Sequence, residues 1–147
     1  MDGSHFPDNP SLISATWVLI YNNTILCIGK FISEVRPDLR NSYAAELCSV
    51  LSVLLFTLLY YNDASTKFKI NVTLDCQAVI DLLHDPLENA SFTNVAHDIT
   101  YEISHLIYSK FIQLSTTKIK SHLDEINDWE SLSFFEKLNV WCDKNAK

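Results

Sequence analysis

Glycine is nearly absent from this chain: among 147 residues it occurs only as Gly3 and Gly29. That excludes a glycine-rich phosphate-binding loop and argues against low complexity. Positive charge is scarce as well. Eleven Lys and Arg stand against eighteen Asp and Glu, a net charge of −7, so no broad basic face is available for nucleic acid. A chain of this sign binds nucleic acid where metal ions cover its carboxylates or a partner supplies the basic surface. The cysteines are scattered, and Cys27, Cys48, Cys76 and Cys142 form no C-x-x-C pair. With no signal peptide ahead of them, they read as reduced, buried thiols of an intracellular protein, cytoplasmic or nuclear. The sequons at Asn22, Asn71 and Asn89 are chance matches on that reading. Long apolar runs are missing too. The longest, Cys48–Tyr61, falls short of the about 20 residues that span a bilayer, so no membrane partner is expected.

What is present is an ordinary folded composition, 48% apolar and 20% charged, in one domain over residues 1–147 with enough chain for a real core. The stretch Lys67–Leu83 organises it. Phe68, Ile70, Val72 and Leu74 alternate with polar residues, the period of a strand, and Ala78, Val79, Leu82 and Leu83 follow at helical spacing. Asp75 therefore stands at the carboxyl end of a strand and just ahead of a helix, where open α/β sheets bind ligands. An Asp there also serves as a helix cap.

Before this unit, Met1–Ser14 is polar and turn-rich, and TWVLIY and TILCIGKFI read as strands joined at Asn22-Asn23. A third short strand is expected through Phe31–Val35, then a loop, then a helix over Tyr43–Tyr61 capped by Ser42. Apart from tyrosine and cysteine, Glu46 is the one ionisable residue of that helix. The helix dipole favours a carboxylate near the helix start, but a buried one needs a proton, a partner or a cation. After Asp85-Pro86, Val95, Ala96, Ile99, Ile103, Leu106 and Ile107 mark an amphipathic helix. Phe111–Lys120 is strand-like, Leu123–Ser131 is an acidic loop, and a last helix begins near Leu132. This order predicts an α/β fold, a mixed sheet with helices packed on it.

Four carboxylates stand at structurally matched places: Asp2 before the hairpin, Glu46 early in the long helix, Asp75 ending the central strand, Asp143 in the last helix. Their contexts are Asp2-Gly3-Ser4, Ala45-Glu46-Leu47, Leu74-Asp75-Cys76-Gln77, Lys120-Ser121-His122 and Trp141-Cys142-Asp143-Lys144-Asn145-Ala146. In this order and over the whole chain these blocks resemble the ribonuclease H family, most closely the ribonuclease H domains of retroelements that carry a reverse transcriptase. The resemblance implies Asp2, Glu46, Asp75 and Asp143 as metal ligands and His122 as a mobile proton-transfer residue. Ser4, Ser42 and Gln77 would contact substrate, the latter two through the 2′-hydroxyls of an RNA strand. A lone loop histidine is otherwise a solvated bystander, and Gln77 otherwise an exposed first-turn residue.

Clustered carboxylates repel, and two Mg²⁺ ions about 4 Å apart, with Mn²⁺ as substitute, would relieve that while activating water at a scissile phosphate. The implied activity is hydrolysis of the RNA strand of an RNA–DNA hybrid, and the retroelement resemblance implies a reverse transcriptase domain beside it in a longer polyprotein. Two alternatives stay open: a weak or inactive binding module or relic, and an integrase- or transposase-like strand-transfer enzyme. The pattern departs from the family at several points. Only Met1 precedes Asp2, Ala15 and Thr16 stand where glycines are usual, and Ser121, Cys76 and Ala44 replace the usual Gly, Ser or Asn, and Arg. The expectation is a domain whose first strand is truncated and which is clipped after Asp143, with Asp2 loosely held.

Overall fold

Asn22 and Asn23 both take positive φ, 49° and 59°, so the chain folds back in a tight turn whose twist suits the flanking strands. The structure is a computed structural model that describes residues 2–6, 9–60, 69–85, 96–110, 112–122 and 125–146. The turn joins β2 (Asn9–Tyr21) to β3 (Thr24–Glu34), antiparallel from Tyr21↔Thr24 to Leu12↔Glu34. The separate strand expected over Phe31–Val35 is the far end of β3. Ahead of it, β1 (Asp2–Phe6) pairs antiparallel with β2 from Asp2↔Thr16.

This corrects the expectation for the N-terminal region. Met1–Ser14 holds a strand and the start of another, and β2's second edge is partnered by residues that follow the first acid. Weak local strand propensity in Asp2-Gly3-Ser4 is overridden by the ladder to β2 and by contact with a helix. The β1–β2 ladder begins at Asp2↔Thr16, and among the described residues Trp17–Tyr21 have no partner on that edge.

α1 (Ser42–Tyr60) is capped by Asn41, whose Oδ1 accepts the Ala44 N–H at 2.8 Å. Ser42, the expected cap, is instead the first helical residue and is exposed. By length and composition α1 is apolar enough to cross a membrane, contrary to the shorter run read from sequence. Here it is a core helix: Leu47, Val50 and Leu54 are fully buried with Val72, Leu74, Val79 and Ile103. β4 (Lys69–Leu74) turns through Asp75-Cys76 into α2 (Gln77–His84). α3 (His97–Ser109) follows, then β5 (Gln113–Lys118), which pairs parallel with β4. The expected Phe68 and Val95 lie outside the described residues. A 3₁₀ turn at Trp129–Ser131 occupies the end of the expected acidic loop. α4 (Phe134–Ala146) then opens with a reciprocal capping box: the Ser133 N–H donates to Glu136 Oε2 at 2.7 Å and the Glu136 N–H to Ser133 Oγ at 3.4 Å.

The two helices touching β2 lie on opposite faces of it. Trp17 Nε1 donates to Ser52 Oγ of α1 at 2.9 Å, whereas the Ser14 hydroxyl donates to the Ala146 carbonyl of α4. Odd and even positions of a strand point to opposite sides, so β2 is sandwiched. Its near-continuous apolar sequence follows from that. Among the described residues, four helices thus flank strands arranged as β1-β2-β3 and β4-β5.

Gly29 serves the same core. It pairs with Trp17, and a Cβ there would lie 2.1 Å from the indole Cζ2. Gly29→Ala is expected to displace the ring, loosen the bond to Ser52 and destabilise the fold by about 1–3 kcal/mol. Urea unfolding measures this, and an unchanged midpoint would show the ring to be freely mobile.

Candidate active site

Three elements end or begin at one place. Asp2 opens β1, Glu46 lies in the second turn of α1, and Asp75 directly follows β4. One oxygen of each lies within 4.8 Å of those of the other two. Asp2 and Glu46 are only 7% and 3% exposed, so the repulsion between them is poorly screened. Asp2 is not loosely held as the sequence suggested, since its ladder partner Thr16 is itself fully buried.

Gly3 makes the approach possible. A Cβ on it would sit 2.3 Å from the Ala45 carbonyl carbon and 2.4 Å from the Glu46 nitrogen, both backbone atoms that cannot step aside. Without a side chain there, the Gly3 N–H donates to Glu46 Oε1 at 3.0 Å. The second oxygen, Oε2, is buried and has no hydrogen-bonding partner among the described residues. Burial pushes the Glu46 carboxyl well above its ordinary range, and the neighbouring Asp2 and Asp75 push it further, against the Gly3 N–H. Burial likewise raises Asp2 to about 6, partly offset by its hydrogen bond with Glu46 and reinforced by Asp75 and Asp143.

The same features suit a divalent cation. An orphaned buried oxygen, convergent hard donors and charge held off by protons are what such an ion replaces. No sulfur or imidazole belongs to the trio, and this donor set favours Mg²⁺ or Mn²⁺ over zinc.

Asp143 stands apart from the trio. It projects from α4, its side chain 19% exposed, with Oδ2 3.8 Å from Nδ1 of His122. Its charge nevertheless reaches Asp2. His122 is half-exposed, adopts φ 52°, and lies 3.6 Å from Glu125. Left-handed backbone is uncommon but less costly for His than for bulkier residues. The sequence reading set Asp143 beside Glu46 and Asp75 and expected Asp2 to be loosely held, yet Asp2 is the residue that completes the close set with Glu46 and Asp75.

Of the expected substrate contacts, Ser4 is half-buried in β1 opposite Ser14, and Ser42 is exposed at the start of α1. Gln77 is exposed and engaged on both ends: its Nε2 donates to Asp81 Oδ1 at 2.7 Å and its Oε1 accepts from Lys118 Nζ at 2.8 Å. Lys118 escaped the sequence reading. Its signal was its place at the carboxyl end of β5, which the parallel ladder sets opposite Leu74, next to Asp75. The cysteines are all free, as expected, but of the four only Cys142 is buried, the others being half-buried, and burial pushes the Cys48 thiol up to about 11.

No protein-family model matches this sequence. No curated protein matches it either. Among solved structures the chain is similar to the crystal structure of ribonuclease H1 from the halophilic archaeon Halobacterium salinarum. The TM-score is 0.61 at 20% sequence identity, covering 86% of this chain and 87% of that one. The chain therefore has the ribonuclease H fold, an α/β arrangement in which, among the described residues, four helices flank the strands, with an acidic cluster at the strand ends.

Proposed function

We propose that this chain is a divalent-metal-dependent endonuclease that hydrolyses the RNA strand of RNA–DNA hybrids. The observation that carries this reading is the convergence of Asp2, Glu46 and Asp75, with Glu46 Oε2 buried and without a hydrogen-bonding partner among the described residues. The fold likeness to a ribonuclease H1 supports it. Asp2, Glu46 and Asp75 would hold Mg²⁺, with Asp143 joining from α4. When bound, the cation neutralises the carboxylates and supplies Lewis acidity toward water and phosphate oxygens. The chain's own residues do the rest. The Gly3 N–H orients Glu46, His122 moves a proton at Nδ1 or Nε2 on the exposed side, and Gln77 with Lys118 forms a polar rim for the nucleic acid.

The net charge of −7 leaves substrate affinity to a neighbour. We place the chain in a retroelement-type protein whose reverse transcriptase domain supplies basic surface. A catalytically weak module is the second reading, and what favours it is the separation of Asp143 from the close trio.

The test is cleavage of a labelled hybrid, with RNA duplex and DNA duplex as controls, in Mg²⁺, Mn²⁺ or chelator. RNA-strand products only with hybrid and metal are expected; equal cutting of all three duplexes, or cutting in chelator, would reject the assignment. His122→Ala should lower the neutral-pH rate about 10²-fold and flatten the pH–rate profile. An unaltered profile would return His122 to the role of bystander.

A further inference from the structure

Lys118 is a cation held in an unusual way for a chain of net charge −7. It is exposed at the last position of β5 and stands opposite Leu74 in the parallel ladder. The two strands stay joined one step further, where the Ile119 N–H donates to the Leu74 carbonyl at 3.1 Å. Asp75 of the acidic trio is the residue after Leu74. The lysine is therefore rooted on the strand beside the one that ends in a candidate metal ligand.

Its partner is an amide and not an acid. Lys118 Nζ donates to Gln77 Oε1 at 2.8 Å. Arg36 lies against Asp38 and Asp98, and Lys137 against Glu130, but among the described residues Lys118 forms no ion pair. A lysine set against a carboxylate is neutralised by it, whereas one tied to an amide is held in place and keeps its charge. An ammonium has three donors, and this bond uses one of them.

Gln77 is fixed in turn. It opens α2, and its Nε2 donates to Asp81 Oδ1 at 2.7 Å across one helical turn. An ammonium only donates and an ionised carboxylate only accepts, so the amide between them cannot turn over without losing both bonds. Both links are charge-assisted, the stronger kind of hydrogen bond. The chain Asp81–Gln77–Lys118 thus braces a long side chain in advance of any ligand. Ordering a free lysine on binding weakens affinity by about two- to tenfold, a loss that the brace avoids.

The anion that suits this cation is a phosphate. A compact ammonium has no fork to match a particular group, so it fits the phosphate oxygens of a backbone without reading sequence. We propose that Lys118 is a phosphate anchor for the nucleic acid strand at the acidic site, and that Gln77 and Asp81 are its positioning residues. On this assignment Gln77 serves the lysine and does not read a 2′-hydroxyl. The assignment rests on the reading of the site as one that takes nucleic acid, and it does not depend on cleavage.

The experiment compares the parent with Lys118→Met, Lys118→Arg and Gln77→Leu. Affinity for a labelled DNA duplex is read by fluorescence anisotropy in Mg²⁺ over about 50 to 200 mM KCl, and hybrid cleavage gives kcat and KM for the same proteins. Lys118→Met is expected to raise the duplex Kd and the hybrid KM together, to leave kcat within about twofold, and to lower the salt slope by about 0.9, the loss of one phosphate contact. Lys118→Arg should keep the parental slope. Gln77→Leu should keep the slope too, while weakening duplex and hybrid by the same factor, about two- to tenfold. A parental slope in Lys118→Met would overturn the anchor. So would a parent that binds no duplex even at about 50 mM salt. A Gln77→Leu loss confined to the hybrid would overturn the positioning role, because a 2′-hydroxyl contact is absent from DNA. A parent that cleaves nothing yet binds duplex and hybrid through Lys118 would keep the anchor and lose the endonuclease reading.

Discussion

Glu46→Gln is expected to abolish Mg²⁺-dependent hybrid cleavage while raising the thermal stability of the metal-free protein. The two effects share one cause. Gln keeps the shape, accepts the Gly3 N–H now donated to Oε1 at 3.0 Å, and gives the buried Oε2 position an amide that donates to Asp2. It also removes a carboxyl that burial and two acidic neighbours make costly to ionise. What it cannot do is supply negative charge to a divalent ion. A loss of at least about 10³-fold in rate corresponds to about 4 kcal/mol of transition-state stabilisation. Asp75→Asn should behave alike in activity. Parallel measurement of single-turnover cleavage and Tm in chelator checks both halves. A variant that cuts at the parental rate sinks the metal-ligand role, and one that melts lower in chelator sinks the electrostatic account of the empty site.

The second large effect is the pH dependence of stability without metal. Asp2 titrates at about 6 in the folded protein against an ordinary 3.8, and Glu46 is raised well above 4.5. Both folded-state values exceed the unfolded ones, so the folded state holds protons that the unfolded chain has already released. Their contribution is fully present below about pH 4, and is lost as pH rises through about 6 and onward as Glu46 ionises. The metal-free parent is therefore expected to lose stability between pH 5 and 8 more steeply than Glu46→Gln, the difference isolating these groups from the rest of the chain. Mg²⁺ should reverse the loss at pH 8, because binding displaces the same protons. At one hundred times its Kd, a folded-state ligand adds about 2.7 kcal/mol. Melting curves at several pH values, with and without Mg²⁺, decide it. Parallel slopes for parent and variant would mean that the folded site does not hold the extra protons.

Much of this was legible in sequence because the signals are local. The alternation through Val72 and Leu74 and the helical spacing of Val79, Leu82 and Leu83 gave β4, α2 and the position of Asp75 between them. Asn22-Asn23 marked the hairpin because few other residues tolerate positive φ twice in succession. The boundary errors were local competitions. Asn41 and Ser42 are both good caps, and only the turned backbone decides for Asn41.

By itself, then, the sequence determined which kinds of element form, and that acids sit at their ends. Periodicity and turn chemistry act over a few residues and need no neighbour. Tertiary structure alone decided the rest. β1 exists because β2 and α1 receive it: Asp2-Gly3-Ser4 has no strand signal of its own, and only the contact with Ala45 explains why residue 3 must lack a side chain. The sequence made Asp2 the weakest of the acids, but packing buried Asp2 and Glu46 together, left Asp143 beside His122, and brought Lys118 to Gln77. Charge spacing along a chain says nothing of distance across a fold. Desolvation, which sets the protonation of this site, exists only once the fold has excluded water.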